Sequence, residues 1–277
     1  MDTSEMARTE LMRFAAQEPV DLARAALAIA REEYPQLDEG LYLRRLDELG
    51  AQARCGVPAG ASPERRMGRL NSFLFHEVGF SGNRIDYSDP RNSFLNEVLD
   101  RRTGIPLSLS VVYLEVGRRC GLNVDGIGFP GHFLCKVSLG EHELVVDPFH
   151  RGQLVAMDEI KRRFKAAVGE AAPFDGRVLR AARPRDILVR MLQNLKSVYQ
   201  QKGDGPRALS AVDRVLLLSP ENVRSLRERA DLREQLGGPA AAALDLEKVL
   251  ALEPSAVDAN ELRGRVRRLR GASRLLN

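Results

Sequence analysis

Two residues fifteen positions apart, His132 in GFPGHFLCKV and Asp147 in ELVVDPFHRG, have the side-chain types that acyl-transfer chemistry uses. A carboxylate beside an imidazole fixes its tautomer and stabilises its protonated form, leaving the other ring nitrogen to serve a nucleophile. The same pair can also satisfy two polar groups at the end of a hairpin without any reaction, and both readings stay open at this level. Ser108, in GIPLSLS, is the hydroxyl that could complete a triad; it would need His132 as base and hydrogen-bond donors for an oxyanion. Its structural alternative is to bond the exposed backbone groups of a first helical turn.

The elements around these residues decide whether they meet. Along HFLCKV the alternation of a strand puts His132, Leu134 and Lys136 on one face and Phe133, Cys135 and Val137 on the other. A hairpin turning around Gly140 brings Asp147 on the returning strand within a pairing step or two of His132. Pro130 and Gly131 before the histidine and Pro148 after the aspartate mark turns, so each residue is expected at a strand mouth. Upstream, GIPLSLSVVYLEVGRRCGLNV reads as an apolar helix starting at Ile105 and Pro106, with Ser108 just inside it. Cys120 lies at the far end of that helix, roughly 20 Å from its start, where the helix dipole does not favour a thiolate. Cys135 faces away from His132, and Cys55 belongs to a different segment, so no cysteine is expected to act as nucleophile.

Elsewhere, two helices are predicted within 18–53, interrupted by Pro35, followed by a Gly/Pro/Ser-rich loop at 56–66. From about 185 onward no strand is expected. Shifting RALSAVDRVLLLSPENV by 34 residues lands on AAALDLEKVLALEPSAV, aligning Ala208 with Ala242, Val215 with Val249 and Pro220 with Pro254. A period of this length, with a small residue early in the second helix and a proline after it, resembles the tetratricopeptide repeat. The closing segment carries Arg263, Arg265, Arg267, Arg268, Arg270 and Arg274 and is read as a solvated capping helix, with a polyanion-binding surface as the alternative.

Composition narrows the classes. With 44% hydrophobic residues in 277 the chain can build real cores, and 42 basic against 38 acidic side chains leave a mixed surface of net charge +4. Nucleic acid is therefore not expected as a partner, the more so because aromatics are only 5% and tryptophan is absent, which gives no stacking platform. No signal peptide or membrane span is read, and three unpaired cysteines fit a reducing compartment, so a cytoplasmic location is expected. Without CxxC, HxxH, HExxH or a phosphate loop, neither a metal nor a cofactor is expected; His76, His142 and His150 are scattered among turns and polar segments.

LFHEVGFSGN (74–83), NSFLNEVLDRRTGIPLSL (92–109), FPGHFLCKV (129–137) and VVDPFHRGQLV (145–155) resemble the SirB family, in which a transglutaminase-like domain precedes tetratricopeptide repeats. The resemblance implies an α+β fold with a papain-related core built on an antiparallel sheet, a helical subdomain before it (1–66), the core at 67–180 and an all-α repeat module at 181–277. It also implies a Cys-His-Asp site, onto which His132 and Asp147 map. The cysteine position falls on or next to Pro106, which offers no nucleophile. The expectation is a catalytically degenerate protein that binds a protein or peptide partner through its cleft and repeats. The alternative is a hydrolase or acyltransferase using Ser108, His132 and Asp147.

Overall fold

The computed structural model describes residues 3–275. The chain divides into two compact units, Met1–Met191 and Leu192–Asn277.

The first unit opens with helices α1 (Thr3–Ala15), α2 (Leu22–Arg31), α3 (Glu39–Arg54) and α4 (Pro63–Ser72). Each of α2, α3 and α4 starts on a short polar side chain that accepts from the third amide beyond it: Asp21 from Arg24, Asp38 from Leu41, Ser62 from Arg65, so that the stretch predicted as loop to 66 turns helical at Pro63. The alanine-rich α2 is buried from Leu22 to Ala30 apart from Arg24, so neighbours pack around nearly its whole circumference. The charge-mixed α1 lies within the helical segment expected over 1–66 but before the two helices predicted within 18–53; its apolar Ala7, Leu11, Phe14 and Ala15 are buried, and Arg31 of α2 and Glu32 just after it pair with Glu10 and Arg8.

A single π-turn, Phe73–Glu77, extends α4 and leads to β1 (Ser81–Gly82), α5 (Leu95–Arg101) and β2 (Thr103–Gly104), which pairs in parallel with β1. Helix α6 (Pro106–Arg119) then begins as expected, with Pro106 in its first turn. It is buried from Pro106 through Gly117, the position of a central core helix.

The main sheet is antiparallel and runs in order β3 (Asn123–Ile127), β4 (Leu134–Leu139), β5 (His142–Asp147), β6 (Gln153–Leu154). The predicted hairpin is β4–β5, closed at Leu139↔His142 around Gly140. One face lies on α6: the Cys135 thiol donates to Ser110 O at 3.8 Å, and a Cβ on Gly117 would sit 2.9 Å from Val124. On the other face Ile127 and Leu134 pack with Phe129, Val155 and the Ile160 and Phe164 side chains of α7 (Met157–Val168).

Helix α8 (Pro184–Gln201) runs across the division between the units. The second unit continues with α9 (Gly205–Leu218), α10 (Val223–Gln235), α11 (Pro239–Leu252) and α12 (Ala259–Leu275). The bounds of α9 and α11 are related by the 34-residue shift seen in the sequence, with Ala208 and Ala242 both fully buried. Gly203 and Gly237 both take positive φ (73° and 79°), the left-handed geometry that ends a helix and favours glycine. Arg229 spans Asp213 (2.9 Å) and Asp245 (2.6 Å), and Arg233 adds a second contact to Asp245 (2.9 Å), tying α9, α10 and α11 together.

Candidate functional site

The site grows from two turns at neighbouring strand mouths. Before β4, Pro130 and Gly131 fill the centre of a turn closed by His132 N–H donating to Phe129 O at 3.1 Å, with Gly131 at φ 69°. His132 therefore precedes the strand that sequence reasoning placed it on; the turn ends at His132 and β4 starts at Leu134. After β5, the chain makes one 3-10 turn, Pro148–His150, and returns through Arg151 and Gly152, both at positive φ (55° and 73°). Gly152 N–H closes this loop on Asp147 O at 2.9 Å.

Asp147, at the end of β5, has no exposed surface. Its carboxylate accepts from His132 Nε2 (3.0 Å to each oxygen), His150 Nδ1 (2.8 Å) and Arg163 Nη1 (2.7 Å). The amides of Phe149 (3.2 Å) and His150 (3.3 Å) donate to Oδ1 as well. Burial pushes the carboxyl toward its neutral form, but the His132 hydrogen bond and charge, then Arg163 and His150, outweigh it and hold the group well below the usual carboxylate range. Arg163 reaches across from α7, where Glu159 one turn earlier accepts from its Nε at 2.8 Å. His132 thus presents Nε2 to Asp147 and keeps Nδ1 as its second nitrogen, the arrangement in which a carboxylate orients a base.

Ser108 is not part of this cluster. Only 2% exposed, its hydroxyl donates to Asn92 O at 2.5 Å and accepts from Ile105 N–H at 3.1 Å. It packs so tightly on the preceding strand that a Cβ on Gly104 would lie 2.6 Å from Oγ. The serine caps the start of α6 from inside, one half of a capping box in which Ile105 has no oxygen to return the bond. Among the described residues no hydrogen bond joins it to His132. The thiols stay away from such a role too: burial pushes Cys135 up to about 12 and raises Cys120.

Two participants escaped the sequence reading. His150, set aside among the turns, is carried onto Asp147 by the 3-10 turn that Pro148 starts, a local signal that the DPFH stretch does hold. Arg163 depends on how α7 docks, and no local pattern reveals it. His132, Asp147 and His150 place potential ligand atoms within 4.8 Å of one another, so they could hold a metal ion. Arg163, however, already supplies a cation to the same carboxylate oxygen that His150 contacts.

Next to the cluster, the Phe149 ring lies edge-on to His132 (6.1 Å), Tyr87 (6.3 Å) and His150 (5.2 Å). It presses so closely on Gly82 that a Cβ there would sit 2.4 Å from the ring. An open pocket of about 470 Å³ adjoins it, bounded by Gly82, Arg84, His150, Arg151 and Gln153 among others. Behind the turn, Arg190 donates to the backbone oxygens of Phe129 (3.0 Å) and His132 (2.6 Å), while burial pushes its guanidinium below the ordinary value.

With this geometry in view, residues 41–193 match the profile of the transglutaminase-like superfamily, and 195–267 match the tetratricopeptide repeat. The chain belongs to the transglutaminase-like superfamily and, within it, groups with the UPF0162 proteins. It is 40% identical to a UPF0162 protein of Xylella fastidiosa over 250 residues, 89% of each chain, and 36% identical to one of Pseudomonas aeruginosa over 86% of each. A second kind of relative, F-box only protein 21 of Homo sapiens, is 31% identical over 61% of this chain and 28% of its own length. No solved structure matches the chain.

Proposed function

We propose that this is a SirB-type protein in which a transglutaminase-like cleft, lacking its nucleophile, holds a peptide segment of a partner, while the repeat module presents a helical surface to the same or another protein. Residues 67–180 would carry the cleft and 181–277 the partner surface, and three free thiols fit work in the cytoplasm. The observation that supports the reading is the start of α6, on or next to which the family resemblance maps the nucleophile: Pro106 there offers none, and the hydroxyl of Ser108 is spent on Asn92 O and Ile105 N–H. Intact His132 and Asp147 favour a second reading, a hydrolase or acyltransferase using Ser108; the buried bonds of Ser108 weigh against it.

The test is intact-mass analysis after exposure to serine-reactive and thiol-reactive acylating probes, with Ser108→Ala and His132→Ala in parallel. The expected result is no adduct that depends on His132. One adduct lost in both variants would transfer the assignment to the enzyme reading.

A further inference from the structure

Beside the Phe149 ring the chain sets Arg84 and Arg151, and Arg190 lies behind the His132 turn. Among the described residues Arg84, Arg151 and Arg190 form no ion pair with a carboxylate. The Arg84 guanidinium instead lies 5.9 Å from the Phe149 ring centroid, and Arg190 rests on the two carbonyls of the His132 turn. Arg151 is held in left-handed backbone (φ 55°, ψ 41°), a conformation that non-glycine residues rarely adopt, and it lines the same pocket as Arg84 and His150. His150 spends Nδ1 on Asp147, which leaves Nε2 as its remaining polar atom.

Apolar surface adjoins this charge. Ile85 is fully exposed and Tyr87 is 54% exposed, both on the segment that carries Arg84, and Tyr87 leans on Phe149. The segment reads Arg84-Ile85-Asp86-Tyr87, all exposed, so one carboxylate stands among these side chains, and Arg151 across the pocket brings the cations there to two. Two arginines beside uncovered aliphatic and aromatic surface complement an extended chain that alternates acidic and aliphatic residues. A bare phosphate backbone would use the arginines and leave Ile85 without a partner.

We propose that the pocket bounded by Arg84, His150 and Arg151 receives a carboxylate side chain of an extended acidic peptide, with Ile85 and Tyr87 taking an aliphatic neighbour of that residue. The proposal rests on the peptide-holding reading of the cleft and names the chemistry of its occupant. Arg84 and Arg151 act as charge receptors at the rim, where they set selectivity and association more than fold stability.

Fluorescence anisotropy with the full chain tests this. The probes are a labelled hexapeptide of alternating Glu and Leu, its Gln-Leu and Lys-Leu counterparts, and an oligothymidylate. The Glu-Leu peptide is expected to bind saturably, about tenfold or more tighter than the Gln-Leu peptide, and to weaken as salt rises. In Arg84→Gln/Arg151→Gln the two peptides should bind alike, while the melting temperature stays that of the parent because both arginines are exposed. Equal binding of the Glu-Leu and Gln-Leu peptides to the unaltered chain would overturn the acidic preference and leave the peptide cleft standing. Binding of neither would remove both. Oligothymidylate binding as tightly as the acidic peptide would reassign the patch to nucleic acid and overturn the proposal.

Discussion

Asp147 remains ionised without contact with water because His132, Arg163, His150 and two amides surround it. Its folded-state pKa lies below the unfolded value near 3.9, so the stability it contributes is fully present above about pH 4 and is lost as pH falls further. Asp147→Asn should therefore cost about 2–4 kcal/mol at neutral pH, by removing one partner from a buried charge cluster. Urea denaturation should show the gap between parent and variant narrowing as pH drops toward 3; a gap independent of pH would contradict the assignment. Ser108→Ala should cost about 1–2 kcal/mol, because it strips a cap from Ile105 N–H and a donor from Asn92 O, both buried. At this scale the sequence disclosed the His132–Asp147 pair and both possible roles of Ser108. It could not disclose Arg163, whose contact is set by packing 16 residues away along the chain.

The hairpin, the helix from Pro106 and the turns at Pro130 and Pro148 were legible because each rests on local chemistry: alternation, a proline at a first helical turn, a Pro-Gly pair. Helices α1 and α7 were not, since their charge-rich sequences hide apolar faces that matter only once α2 or the sheet is there to cover them. The loop that delivers His150 gives a test at the level of the element. Gly152 sits at φ 73°, and a Cβ there would fall 2.7 Å from the Phe75 ring, whereas Gly140, at φ 71°, faces open space. Gly152→Ala should thus lower stability well beyond the ~1 kcal/mol that left-handed backbone alone costs alanine, and Gly140→Ala should show only that smaller cost. Comparable losses in thermal melts of the two variants would mean that the 148–152 loop is not held as described.

At the scale of the molecule, the 34-residue period makes the repeat unit legible in the sequence, yet not what braces it. Asp245, only 3% exposed, receives both Arg229 and Arg233, and Asp245→Ala would leave two cations short of their shared acceptor. A loss of about 2–4 kcal/mol is expected in chemical denaturation, against little change for Asp231→Ala, whose exposed carboxylate meets Arg265 at the surface. No helix among the described residues is long and apolar enough to cross a membrane. The central claim about the whole protein is that its cleft binds without reacting. The direct measurement is to incubate the alternating Glu-Leu peptide, in amide and ester forms, with an equal amount of the full chain and to follow both masses over time. The account predicts that peptide is retained on the protein and recovered intact, with the protein mass unchanged. Cleaved peptide, or an acyl adduct on the chain that vanishes in Ser108→Ala and in His132→Ala, would contradict it.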